Sequence, residues 1–296
     1  MFGLCSRRSR AQCLSSAPPA VEVLESRRLL TTFNVNIFND SVDANPGDGV
    51  AEDADGNTSL RAAIMDANAL PSDDVVVLAN GTYVIEIPSA SGADADDDLD
   101  IFAGSGSLTV RGNGPIATTI DGRSKFNTVF DVAGKLRLED ISVTGAKFEA
   151  ISSTGGELTI VRSELSQNGS GIDVIDAVVV IEDSTLNNFR PGHPIIDVRN
   201  TSGAHSEVTL INSTISGGDI GIETEFPNVI NLYNTTITEN KRGFRNVNPQ
   251  LGNPVVTAQN TVISGNDLLN RIDGEFNDLG GNFFFVGRSV AGAIAR

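Results

Sequence analysis

The octapeptide Leu158-Thr-Ile-Val-Arg-Ser-Glu-Leu165 is repeated along the chain as Val179-Val-Ile-Glu-Asp-Ser-Thr-Leu186, Val208-Thr-Leu-Ile-Asn-Ser-Thr-Ile215 and Ile230-Asn-Leu-Tyr-Asn-Thr-Thr-Ile237. A weaker copy follows at Val256-Thr-Ala-Gln-Asn-Thr-Val-Ile263, and an earlier one stands at Leu136-Arg-Leu-Glu-Asp-Ile-Ser-Val143. The anchor positions Ile141, Ser163, Ser184, Ser213, Thr235 and Thr261 are separated by 22, 21, 29, 22 and 26 residues. Each copy alternates apolar and polar residues and is rich in β-branched types, the pattern of a strand with one buried face. A second apolar step follows each copy: Ala150-Ile151, Gly171-Ile172, Ile195-Ile196, Gly221-Ile222 and Gly243-Phe244. Turn residues such as Gln167-Asn168-Gly169, Gly217-Gly218 and Glu239-Asn240 separate the two.

Each repeat therefore reads as two or three short strands joined by bends, and no repeat can close a core alone. Stacking solves this, because each strand can pair in parallel with its equivalent one coil later, about 4.8 Å away. Loops leaving a stacked coil do not disturb the register, which accommodates the uneven spacing. The expected fold is all-β, a right-handed parallel β-helix (solenoid) with a short N-terminal amphipathic capping helix. The residue before each anchor is Asp140, Asp183, Asn212, Asn234 or Asn260, with Arg162 the exception. Asn and Asp tolerate left-handed backbone at a bend, so these side chains are expected to stack as a hydrogen-bonded ladder. The sequons Asn212-Ser-Thr and Asn234-Thr-Thr are by-products of this repeat. Left-handed β-helices, leucine-rich repeats and propeller blades do not fit the spacing or the motif.

An open stack needs a cap. Asn57 or Thr58 can start a helix, Leu60, Ala63, Ile64 and Ala67 form its apolar stripe, and Pro71 stops it. Val75–Leu78 and Tyr83–Ile87 then read as strands on either side of an Asn80-Gly81 turn. Ser59, Leu60, Arg61, Ala63, Ile64, Ala67 and Asn68, followed by Asp74-Val-Val-Val-Leu and Gly81-Thr-Tyr, resemble the "CSLREAI…AN" region that opens many secreted bacterial β-helix proteins. Thr58 stands at that motif's Cys and Ala62 at its Glu. With the repeats, the resemblance spans most of residues 34 to 287 and implies fold and export, but no established chemistry.

The first 33 residues differ from the rest. They carry Arg7, Arg8, Arg10, Arg27 and Arg28, the acids Glu22 and Glu25, and both cysteines, Cys5 and Cys13. The whole chain of 296 residues has a net charge of −17, and the remainder has 16 basic and 36 acidic residues and no cysteine. Such a basic leader reads as a targeting segment. Leu24, Glu25, Arg27, Leu29 and Leu30 resemble the "LEPR-x-LL" leader of planctomycete surface and secreted proteins, with Ser26 at the Pro position. The expected organisation is a leader over 1–33, a cap and first coils over 34–90, repeats over 91–287 and a short tail over 288–296. Phe283–Val286 is expected to form the final strand or plug, and Val290–Arg296 is too short for a domain. An extracellular or cell-surface location is expected.

Composition excludes several chemistries. The acidic balance argues against a nucleic-acid partner, no stretch approaches a transmembrane helix, and 2 His with 2 Cys leave little for a zinc site. Lyases and hydrolases use this fold, and each class carries its own sequence signature. The basic candidates are Arg123, Lys125, Arg190, Arg199, Arg242 and Arg245, but the pectate-lyase signatures Trp-x-Asp-His and Arg-x-Pro are absent. His193 precedes Pro194, His205 sits in Ala-His-Ser, and Arg271-Ile-Asp273 has Asp where polygalacturonase-like hydrolases have Lys. Asp73-Asp74 falls in the cap. Asp173 and Asp176 could in principle act as acid and base, but read as surface acids. With 0 Trp and 2 Tyr, a sugar-stacking cleft would be poorly equipped.

Two acidic stretches invite calcium. Asp48–Gly56 fits an EF-hand loop at Asp53 and Asp55 and fails at Ala51 and Ala62. Asp94–Asp100 concentrates five carboxylates in seven residues, and Ca2+ is the ion expected to order the loop over 92–100. No residue is assigned to catalysis, to a cofactor or to a metal. The leading expectation is a non-catalytic adhesive or structural protein whose partners are polysaccharide or cell-surface material. The alternative is a polysaccharide-active lyase or glycoside hydrolase, and clustered Asp, Arg or His along one parallel sheet would favour it.

Overall fold

The computed structural model describes residues 30–87, 98–123, 128–267 apart from 202 and 204, and 275–284. Most of the leader, positions 94–97 of the acidic loop, the end of the 283–286 segment and the tail lie outside the described residues. The chain winds into a right-handed parallel β-helix of three sheets with ten, seven and nine strands. One coil is Glu149–Thr154 in the second sheet, Glu157–Val161 in the first and Glu164–Ser166 in the third. Each strand pairs in parallel with its equivalent one coil on, as Leu158 does with Val179 and Leu165 with Leu186.

The repeat pattern accounts for this. The inward rows are Leu136, Leu158, Val179, Val208 and Ile230 in the first sheet, and Val143, Leu165, Leu186, Ile215 and Ile237 in the third. All are buried, each worth about 1.5–3 kcal/mol of transfer free energy. The second apolar step lies in the second sheet, where Ile151, Ile172, Ile196, Ile222 and Phe244 stack in register. Gly171 before one of these residues has a packing reason, because a Cβ there would lie 2.2 Å from the Ile195 carbonyl oxygen.

The corner before each anchor is left-handed, with φ of 56° at Asp140, 47° at Arg162, 50° at Asp183, 49° at Asn212, 51° at Asn234 and 50° at Asn260. The expected ladder is present: Asn212 Nδ2 donates to Asp183 at 3.1 Å, Asn234 to Asn212 at 3.0 Å and Asn260 to Asn234 at 3.1 Å. Arg162 joins by donating from Nε to Asp140 at 2.9 Å. A second rail runs inside it. The amides of Ile141, Ser163 and Ser184 donate to the hydroxyls of Ser163, Ser184 and Ser213 at 3.3, 3.1 and 3.2 Å.

The helix spans Leu60–Ala69 and buries Leu60, Ala63, Ile64 and Ala67. Its cap is Ser59, not Asn57 or Thr58: Ser59 Oγ accepts from the Ala62 amide at 3.0 Å and donates to the Ser41 carbonyl at 2.6 Å. The polar face is buried too. Arg61 Nε meets Asp40 at 2.8 Å and Nη1 donates to the Asp98 carbonyl at 2.8 Å. Asn68 donates to the Asp100 carbonyl at 2.7 Å and accepts from the Phe102 amide at 3.1 Å. The helix is thus fastened to the strand Leu99–Ile101, the first of the second sheet.

Two details depart from the sequence reading, and the far end follows it. Thr31–Asn34 is a strand paired with Asp74–Val77, so the solenoid begins within the span assigned to the leader. The strand read over Tyr83–Ile87 is Gly81–Val84, and the Asn80-Gly81 turn is a corner between two sheets. At the far end Phe283–Phe284 forms the last strand of the third sheet, and Phe284 meets Phe276 edge-on at 5.4 Å between ring centres.

Candidate functional site

The second sheet carries an outward row of polar residues, one per coil. Asp100 pairs in register with Asp131, Asp131 with Ser152, Ser152 with Asp173, Asp173 with Asp197, Asp197 with Glu223, and Glu223 with Arg245. Strand alternation fixes their direction: the flanking residues, Ile172 and Val174 around Asp173 for example, point into the core. Adjacent parallel strands stand about 4.8 Å apart, so carboxylates on consecutive coils are neighbours.

The crowded part of the row is Asp173, Asp197 and Glu223. Arg199, two residues beyond Asp197, returns to the same face. Its Nε lies 3.2 Å from Asp173 Oδ1 and 3.4 Å from Asp197 Oδ2, and its Nη2 makes a second contact to Asp173. One coil on, Arg245 Nε lies 2.6 Å from Glu223 Oε2. Burial pushes the Asp197 carboxyl up to about 7, with Arg199 opposing and Asp173, Glu223 and Glu225 adding to the rise. Burial also raises Glu223, against the pull of Arg245. Hydrogen bonding to Asp173 raises the Arg199 guanidinium further above its ordinary value. The row therefore sets a carboxyl that holds its proton near neutrality between two ion-paired carboxylates, Asp173 and Glu223. That arrangement can deliver a proton to a bound molecule and oppose a developing positive charge.

Of the basic candidates, Arg245 is in the row and Arg199 reaches it from the same face. Arg242 lines an adjoining hollow of about 130 Å³ with Asp219, Lys241 and Arg245. Arg123 is paired with Glu86 at 2.7 Å, Arg190 sits at an exposed corner, and Lys125 is outside the described residues. His193 and His205 are exposed and precede the strands Pro194–Arg199 and Glu207–Ile211, away from the row. Asp176 lies outside the row and accepts from the Thr201 amide and hydroxyl at 3.1 and 2.7 Å. Sequence reading missed Asp197 and Glu223. The signal is an acid after the second apolar step, in Phe130-Asp131, Ile172-Asp173, Ile196-Asp197 and Ile222-Glu223.

At the other end of the row, Asp98, Asp100 and Asp131 each place a carboxylate oxygen within 4.8 Å of the others. Asp98 and Asp100 are the described part of the stretch read as a calcium loop. They also line an apolar hollow of about 260 Å³ with Ile64, Met65 and Phe102. The EF-hand-like stretch is closed on itself: Asp53 Oδ1 accepts from the Asp55 and Asn57 amides at 3.0 and 2.9 Å, and Oδ2 accepts from Ser41 at 2.8 Å.

Among solved structures, a rhamnogalacturonan lyase matches with a TM-score of 0.57 at 14% identity, over 80% of this chain and 69% of that chain. A pectate lyase, Pel9A, matches with a TM-score of 0.48 at 16% identity, over 90% of this chain and 80% of that chain. The likeness is one of fold. No family model matches the chain, and no curated protein does.

Proposed function

We propose that the protein is a glycan-active β-helix protein that hydrolyses a glycosidic bond on the outer face of its second sheet, outside the cell. The observation that carries this reading is the register that sets the partly buried Asp197 between the ion-paired Asp173 and Glu223, a setting that raises its proton affinity. Asp197 gives its proton to the glycosidic oxygen as the carbon–oxygen bond breaks. Asp173 and Glu223 stabilise the positive charge on the sugar ring, water adds to the anomeric carbon, and the proton that water loses returns Asp197 to its acid form. Elimination fits less well, because it needs a base to remove a proton from the sugar. Arg199 faces Asp173 and is held protonated by it.

The test is a panel of neutral and acidic polysaccharides, followed for new reducing ends and for unsaturated products. Reducing ends without unsaturation, lost in Asp197→Asn, support hydrolysis. Unsaturated products would assign a lyase instead. The ion pairs Arg199–Asp173 and Arg245–Glu223 also favour a second reading, in which the row is a surface ladder of a non-catalytic adhesive protein. Retention on immobilised glycan without any cleavage would select it.

A further inference from the structure

The cap contains a second, separate set of carboxylates that the glycan face does not use. Asp66 lies on the inner side of the helix and is 0% exposed, and Asp43 lies in the loop beneath it at 5%. One oxygen of each is satisfied by the loop backbone. Asp66 Oδ1 accepts from the Gly47 and Gly49 amides at 2.5 and 3.3 Å, and Asp43 Oδ1 accepts from the Asn45 amide at 3.0 Å. The other oxygen of each, Asp66 Oδ2 and Asp43 Oδ2, is fully buried and has no hydrogen-bond partner among the described residues. A buried carboxylate oxygen without a partner is unfavourable, and two in one small cap need a common explanation.

Among the described residues no cation pairs with Asp43 or Asp66. Between Asn34 and Val110 the chain has fifteen carboxylates and a single basic residue, Arg61. Arg61 is directed to Asp40 and to the Asp98 carbonyl. The charges of Asp66 and Asp48 both act on Asp43, and burial raises its proton affinity. Asp48 is exposed and is tied through one oxygen to the Val50 amide at 2.8 Å.

We propose that the orphaned oxygens of Asp43 and Asp66 bind a divalent cation of the calcium type that fastens the loop over 43–50 to the capping helix. The donor set is all oxygen and contains no His or Cys, which suits a hard cation. Such an ion would engage both orphaned oxygens while the glycine amides keep the opposite oxygen of Asp66. Its role would be structural, holding the cap on the open end of the stack.

The test is titration calorimetry with calcium chloride on the full chain after chelator treatment, with melting followed by circular dichroism. Wild type is expected to take up one bound ion and to melt higher with calcium. Asp43→Asn and Asp66→Asn, which keep the acceptors for the loop amides, are expected to lose affinity by more than about tenfold. Asp98→Asn/Asp131→Asn is expected to bind as wild type. Should Asp66→Asn fail to fold, Asp43→Asn alone decides. Absence of calcium uptake by wild type would overturn the proposal and assign the two oxygens a shared proton. Uptake that survives both cap variants, or that is lost only in Asp98→Asn/Asp131→Asn, overturns it as well.

Discussion

Replacing Asp197 by Asn should make the protein more stable at alkaline pH and change little at acid pH. Burial lifts the carboxyl from an ordinary 3.8 to about 7, so the folded state binds this proton more tightly than the unfolded chain does. The sign follows from linkage: the group's contribution is most favourable below about pH 4, declines as pH rises, and is lost in full above about pH 7. At about 1.4 kcal/mol per tenfold change in proton affinity, the loss is on the order of 4 kcal/mol. This is an upper figure, because the side chain remains 25% exposed. Asn fills the same volume without a charge to bury, and Arg199 keeps Asp173 as its partner. The assay is urea unfolding by far-ultraviolet circular dichroism, since the chain has 0 Trp. Asp197→Asn should exceed wild type by up to about 4 kcal/mol near pH 8 and match it near pH 4. Equal midpoints for the two proteins near pH 8 would refute the assignment of a buried, proton-holding Asp197.

Arg61→Met should destabilise the protein by about 3–5 kcal/mol in urea unfolding, because Arg61 and Asp40 are only 3% and 1% exposed and Asp40 would be left charged in the cap. Asn234→Val should cost about 1–2 kcal/mol, since Asn234 has φ 51° and a β-branched residue resists left-handed backbone; Asn234→Gly should recover most of that in the same assay. Ser213→Ala should cost about 1–3 kcal/mol by leaving the Ser184 amide without its acceptor. Faster hydrogen exchange at that amide is the local readout, and Ser213→Thr, which keeps a hydroxyl at the anchor, should restore protection.

The repeat anchors at Ser163, Ser184, Ser213, Thr235 and Thr261 and the left-handed corners before them were legible because alternation and turn chemistry are local. A strand with one apolar face and an Asn at its end specifies its own pleat and bend, and identical units can close a core only by stacking. Smaller choices were not legible. Asn57, Thr58 and Ser59 are all competent caps, and only the fold places Ser59 Oγ between the Ala62 amide and the Ser41 carbonyl.

The candidate site shows the division most clearly. Asp173, Asp197 and Glu223 lie 24 and 26 residues apart, and nothing local marks them as neighbours. Register on the second sheet brings them together, and burial then sets the proton affinity of Asp197. Asp43 and Asp66 are likewise ordinary surface-type acids in the sequence, and become orphaned carboxylates only where the loop folds under the helix. The chain by itself determined the solenoid, because periodicity and bend residues are written residue by residue. Tertiary structure alone decided which acids share a low-dielectric neighbourhood, because proton and cation affinity depend on through-space neighbours and lost water.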